Sequence, residues 1–106
     1  MNEIPAPIQR FIEATNEGDS NAFVAAFAPD AHLEDWGRVF HGRDGARSWD
    51  GTDNIGKQSH FDLVGARLDA GEWVVTVDVS GNGFTGRSDI RFTLENDLIT
   101  RMVIAP

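Results

Sequence analysis

Ile4, Ile8, Phe11, Ile12 and Thr15 recur at three- and four-residue spacing, the stripe of one helix face. Pro5 and Pro7 suit the first turn of that helix, where a missing amide hydrogen costs little, and Gly18 suits its stop. Asp19 fits the cap of a second helix with Phe23, Val24 and Phe27 as its buried stripe, ended by Pro29. Ala31–Trp36 reads as a short strand, with a turn at Gly37 and a second short strand over Arg38–His41. Gly42–Asp50 reads as a third, short helix carrying Ala46 and Trp49 on one side, and residues 50–56 as a polar loop. From Lys57 the helical period gives way to long strands, Gln58–Asp69, Glu72–Ser80, Phe84–Glu95 and Leu98–Ala105. Asp69-Ala70-Gly71, Gly81-Asn82-Gly83 and Glu95-Asn96-Asp97 are suited to antiparallel hairpin turns. The order predicts an α+β fold with helices packed on one face of a curved sheet.

Strand alternation sorts the sheet faces. Trp73, Val75, Val77 and Val79 share one face, as do Ser88, Ile90, Phe92 and Leu94. On Ala31–Trp36, Leu33 and Asp35 point one way and His32 and Glu34 the other, so Asp35 is a carboxylate aimed at the apolar side. Such a group requires a partner, a wet cavity or a raised pKa. The last strand leaves two settings open. Arg101 either joins Asp35 on the concave face, or is a solvated strand arginine.

Composition narrows the class. Of 106 residues, 41% are hydrophobic and 25% charged, ordinary globular usage, and one domain over residues 1–106 is expected. Nine Lys and Arg against seventeen Asp and Glu give a net charge of −8, which opposes nucleic-acid binding. The absence of cysteine removes disulfides, thiolate metal sites and a cysteine nucleophile. No apolar run approaches the roughly 18–20 residues of a membrane span. Met1-Asn2-Glu3 lacks the basic start of a signal segment. The expectation is a soluble cytoplasmic domain that binds neither membrane nor nucleic acid.

Three stretches carry a family resemblance: Ile8–Asp19 with Phe27–Asp35, Phe40–Trp49, and Ile90–Arg101. They resemble the opening, third helix and closing hairpin of ketosteroid isomerases and SnoaL-like polyketide cyclases, within the nuclear transport factor 2-like superfamily. The resemblance implies a cone, a strongly curved antiparallel sheet wrapped around two N-terminal helices and a short third one. It also implies a homodimer paired through the convex face, which Thr76, Asp78, Asp89 and Arg91 would allow. Asp35 stands where the isomerases keep their general base. Phe11 stands where they keep a tyrosine oxyanion donor, and this chain has no tyrosine. Ser88 aligns with their second donor, a protonated Asp, while Asp89 is one residue off. The cyclases' acid–histidine pair finds no match in His32, His41 or His60.

Two functions from different classes follow. One is a cofactor-free isomerase, cyclase or hydratase acting by general acid–base chemistry on an apolar carbonyl compound, with Asp35 and Arg101 as its catalytic pair. The other is a non-catalytic ligand-binding or assembly module of the same fold. Phe11, Phe27, Trp36, Trp49, Ser88 and Phe92 are the residues expected to line a pocket for a small apolar ligand. His60 with Asp62, and His32 with Glu34, share strand faces, yet no third ligand at suitable spacing suggests a metal. Gly81–Gly86 matches a dinucleotide glycine pattern, but a strand follows it where a helix is needed. Asp50-Gly51-Thr52-Asp53 lacks the remaining ligands of a calcium loop.

Overall fold

The two N-terminal helices form where the apolar stripe and caps place them. The structure, a computed structural model, describes residues 4–105, so Met1-Asn2-Glu3 lies outside the described residues. Helix α1 (Ala6–Glu17) begins behind Pro5 and ends at Gly18, whose φ of 71° is the left-handed stop. Helix α2 (Ser20–Ala25) is capped by Asp19, whose carboxylate accepts from the Ala22 amide at 3.0 Å. It stops at Ala25, two residues before the Phe27 that its stripe included. Phe27 already belongs to strand β1 (Phe27–Asp35), which runs through Pro29. The pairing register of β1 shifts between Phe27 and His32, so Pro29 sits where the ladder asks no donor of it.

Strand β2 (Arg38–His41) follows a two-residue turn in which Trp36 and Gly37 take φ of 52° and 84°. Two positive φ values match the right-handed twist of a tight hairpin. Ala70-Gly71 and Asn96-Asp97 repeat the pattern between β3 (His60–Asp69) and β4 (Glu72–Ser80), and between β5 (Gly86–Glu95) and β6 (Leu98–Ile104). Helix α3 spans Gly42–Asp53 and runs into a 3₁₀ turn, Ile55–Lys57, in place of the expected loop over residues 50–56. Gly51 and Thr52 are poor helix residues, and hydrogen bonds override them. The buried Asn54 side-chain nitrogen donates to both Asp50 and Thr15 and so ties this last turn to α1.

The six strands form one open sheet in the order β2-β1-β6-β5-β4-β3. Four pairings are antiparallel, and β1 with β6 is parallel. The helices cover one face. Ile8, Phe11, Phe23, Phe27, Leu33, Val77, Ile90, Phe92 and Met102 are buried there. Asn16 at the end of α1 exchanges two hydrogen bonds with the backbone of Phe61, at 2.9 and 2.8 Å, and so pins the start of edge strand β3 to the helix. The opposite face is laced with ion pairs, among them Arg87–Asp78 and Arg91–Asp69, both at 2.8 Å. No described helix is long and apolar enough to cross a membrane.

Candidate functional site

A cavity of roughly 250 Å³ opens between the end of α3, the 3₁₀ turn and the adjoining ends of β1, β4, β5 and β6. Trp36, Trp49, Phe61, Val79, Phe84, Ile90 and Ile104 supply its apolar wall. Asp35, Arg38, Asp53, Asn54, Lys57, Ser59 and Ser88 supply its polar groups. The Trp36-Gly37 turn sets Asp35 directly across from Arg38 in the β1–β2 ladder. Arg38 Nη2 donates to Asp35 Oδ2 at 2.7 Å and to Asp53 Oδ1 at 3.0 Å, while Nη1 reaches Asp53 Oδ2 at 3.3 Å. One guanidinium thus bridges two carboxylates. Trp49 Nε1 also donates to Asp35 Oδ2, at 2.9 Å.

Both partners of Oδ2 fix the Asp35 carboxylate in place. No described residue donates to its Oδ1, and the side chain keeps 15% of its surface exposed at the pocket wall. Partial burial pushes the Asp53 carboxyl up. The Arg38 hydrogen bond, the Thr52 hydroxyl at 2.7 Å and the charges of Arg38 and Lys57 outweigh it, so the group stays below the usual carboxylate range. The Asp53 hydrogen bond is the main reason Arg38 holds its proton more tightly than a free arginine.

A depressed folded pKa gives stability that is present above the unfolded value and lost as pH falls through the folded one. Asp69 and Asp78 are depressed by Arg91 and Arg87 in the same direction. The melting temperature should therefore be level from about pH 7 to pH 5 and fall below about pH 4. Arg38→Met should lower stability by about 1 kcal/mol at pH 7, because this half-exposed bridge is screened by solvent. That gap should narrow toward pH 3 and below, as Asp53 takes up its proton through its depressed range and the bridge is lost. A gap that stays constant from pH 7 to pH 3 would show that Arg38 acts through packing alone.

Of the residues expected at the site, Asp35, Trp36, Trp49 and Ser88 line the cavity. Arg101 does not. The β5–β6 register slips between Ile99 and Arg101, which leaves Thr100 as an extra residue. Ile99 and Met102 both face the core as a result, and Arg101 is exposed beside Thr93 and His32 on the far face. Phe11, Phe27 and Phe92 do not line the pocket either. They are at most 1% exposed and close the cone beneath it. Phe11 stacks on Phe61 with ring centres 5.5 Å apart and meets Phe92 edge-on at 5.2 Å, while Phe27 packs on Phe23 at 5.2 Å.

Arg38 was legible in principle, since a two-residue hairpin at Trp36-Gly37 obliges residues 35 and 38 to pair. Asp53 follows once α3 is carried one turn further, because Trp49 and Asp53 are then four residues apart on one helix face. His60 with Asp62, at 3.3 Å, and His32 with Glu34, at 3.5 Å, are strand-face pairs outside the cavity. Gly81-Asn82-Gly83 is part of the β4–β5 connection, and Asp50–Asp53 is the last turn of α3.

Helices packed on one face of an open, curved six-stranded sheet, with a mainly apolar pocket and a fixed carboxylate in its wall, are the α+β layout of a nuclear transport factor 2-like fold. Residues 8–102 match the SnoaL-like domain, and the chain belongs to that family. Solved structures of similar fold include a Sinorhizobium meliloti protein assigned to the polyketide cyclases, 24% identical, with 95% of this chain and 94% of that one covered and a TM-score of 0.82. Δ5-3-Ketosteroid isomerase from a Mycobacterium species is 14% identical over 95% of this chain and 90% of its own, with a TM-score of 0.79. A Mycobacterium tuberculosis protein in complex with estradiol-17β-hemisuccinate is 15% identical, covering 92% and 88%, with a TM-score of 0.80. At these identities the likeness is one of fold. No curated protein matches the chain by sequence.

Proposed function

We propose that this SnoaL-like chain binds a small apolar carbonyl compound in the cavity beside the end of α3 and moves a proton on it without metal or organic cofactor. The observation that carries the reading is the Asp35 carboxylate, held by Arg38 and Trp49 through one oxygen and bare on the other, in the wall of a mainly apolar pocket. In an isomerisation, Asp35 Oδ1 takes a proton from the carbon next to the carbonyl and returns it to another carbon, so atoms and charge balance. The negative charge that develops on the carbonyl oxygen is met by Arg38 and Lys57, the cations in the pocket lining. Arg101 has no part in this.

The cavity lies just below the usual range of about 300–1,000 Å³ for drug-sized ligands, which favours one- or two-ring compounds over a four-ring steroid. The reading extends to a cytoplasmic homodimer paired through the outer sheet face. That face carries a second hollow lined by Arg67, Val74, Asp89, Arg91 and Val103, with Val74 only 2% exposed.

A non-catalytic binding module is the second reading, favoured by Phe11, which is sealed among rings where the isomerases keep a phenol. A thermal-shift screen of wild type and Asp35→Asn against small enones, two-ring aromatic ketones and steroids tests the pocket. Saturation at a hundred times Kd should add about 2.7 kcal/mol, a rise of roughly 10 °C, for the first two classes. No shift with any of them would remove the small-molecule reading.

A further inference from the structure

Asn54, at the junction of α3 and the 3₁₀ turn, lines the cavity and is 1% exposed. Nearly all of its polar atoms are engaged. Its amide donates to the Asp50 carbonyl at 3.2 Å, and its carbonyl accepts from the amides of Lys57 at 2.9 Å and Ser59 at 3.1 Å. Side-chain Nδ2 donates to Asp50 Oδ1 at 3.1 Å and to Thr15 Oγ1 at 2.9 Å. The Thr15 hydroxyl spends its own proton on the Phe11 carbonyl, so it can only accept from Asn54. Turning the amide over would press Oδ1 against the Asp50 carboxylate and against a hydroxyl with no proton to give. The orientation is therefore settled by its neighbours.

That orientation leaves Asn54 Oδ1 buried with no partner, and it is the only such side-chain atom among the described residues. A buried acceptor without a donor is costly, and folded proteins keep few of them. Asn54 lines the cavity, whereas Thr15 and Asp50, the partners of Nδ2, do not, so Oδ1 is the side-chain acceptor beside the cavity that lacks a donor. We infer that Asn54 is a ligand-binding residue, and that the compound taken up carries a hydrogen-bond donor, a hydroxyl, on the end that enters against it. The inference rests on the reading of this cavity as a ligand site and narrows its substrate class to hydroxylated apolar compounds. A site built to accept from a hydroxyl rejects the analogue that lacks it more strongly than an apolar pocket rejects a change of size.

The test uses 2-naphthol and 2-methoxynaphthalene, which share a two-ring body and differ in one donor. Binding to the wild-type protein is followed by ¹H–¹⁵N NMR, with the Trp49 indole N–H reporting occupancy and the Asn54 side-chain amide reporting its own environment. The expected result is at least about tenfold tighter binding of the naphthol, with Asn54 amide signals that shift for the naphthol and not for the ether. In Asn54→Leu the preference should collapse to near one. If that variant does not fold, the wild-type pair and the Asn54 signals still decide. Equal affinities, or naphthol binding that leaves the Asn54 signals unmoved, would overturn the role of Asn54 while leaving the pocket intact. Failure of both compounds to move the Trp49 signal would overturn the pocket reading and this inference together.

Discussion

Phe11→Ala is expected to lower the melting temperature by roughly 12–20 °C, the consequence of losing about 3–5 kcal/mol when a large aromatic ring is removed from a packed core. Phe11 is 1% exposed and packs against Phe23, Phe27, Phe61 and Phe92 with ring centres 5.2–6.3 Å apart. No single neighbour can collapse into the space, because the four rings belong to α2, β1, β3 and β5 and each is fixed by its own element. The ring also sets the depth of the site. Phe61 rests on Phe11 and lines the cavity above it, so the truncation should deepen the pocket as well as soften the fold. Calorimetry gives the first effect, and a gain in affinity for larger ring systems gives the second. A loss under about 4 °C would mean that Phe11 is not the floor of the cone.

Gly56→Ala should be as damaging, through a different cause. A Cβ at Gly56 would collide with the Gly51 carbonyl oxygen and lie 2.5 Å from its carbon, both backbone atoms of α3. Neither can yield as a flexible side chain would, so the 3₁₀ turn must move away from the helix. That turn places Lys57 in the pocket lining and supplies the Lys57 amide that donates to the Asn54 carbonyl. Overpacking of this kind costs about 3 kcal/mol or more, and ligand binding should go with it. Gly51→Ala is the matched control. Nothing lies within 4 Å of a Cβ there, and the residue is helical and exposed, so this change should stabilise by about 0.5–1 kcal/mol. A Gly56→Ala protein that melted and bound ligand like the wild type would contradict the close crossing of turn and helix.

Much of this architecture can be read from local chemistry. The stripe from Ile8 to Thr15, the Asp19 cap, the Gly18 stop and the paired positive-φ turns are each decided by a few neighbouring residues. What escapes such reading depends on contacts distant in sequence. Alternation along β6 assumes an unbroken period of two, and the extra Thr100 breaks it, which sent Arg101 to the outer face. The length of α3 is set by Thr15, 39 residues earlier, through its bond to Asn54. Aromatic residues at inward positions do not declare whether they line a pocket or fill it. Phe11, Phe27 and Phe92 fill it, and only the meeting of their rings shows this. At the candidate site, Asp35, Trp36, Trp49 and Ser88 were legible, whereas Asp53, Asn54 and Lys57 depended on the unforeseen last turns after Asp50.

The pocket's chemistry rests on one oxygen, and a proton-exchange experiment addresses it most directly. A two-ring ketone or small enone that binds is incubated with the protein in deuterium oxide, and deuterium entering the carbon next to the carbonyl is followed by NMR. Wild type should exchange that position, and Asp35→Asn, which keeps the shape and removes the basicity, should bind comparably and exchange at least about a hundredfold more slowly. Equal exchange in both proteins, or none in a wild type that demonstrably binds the compound, would contradict Asp35 as the base and leave the cone a binding module.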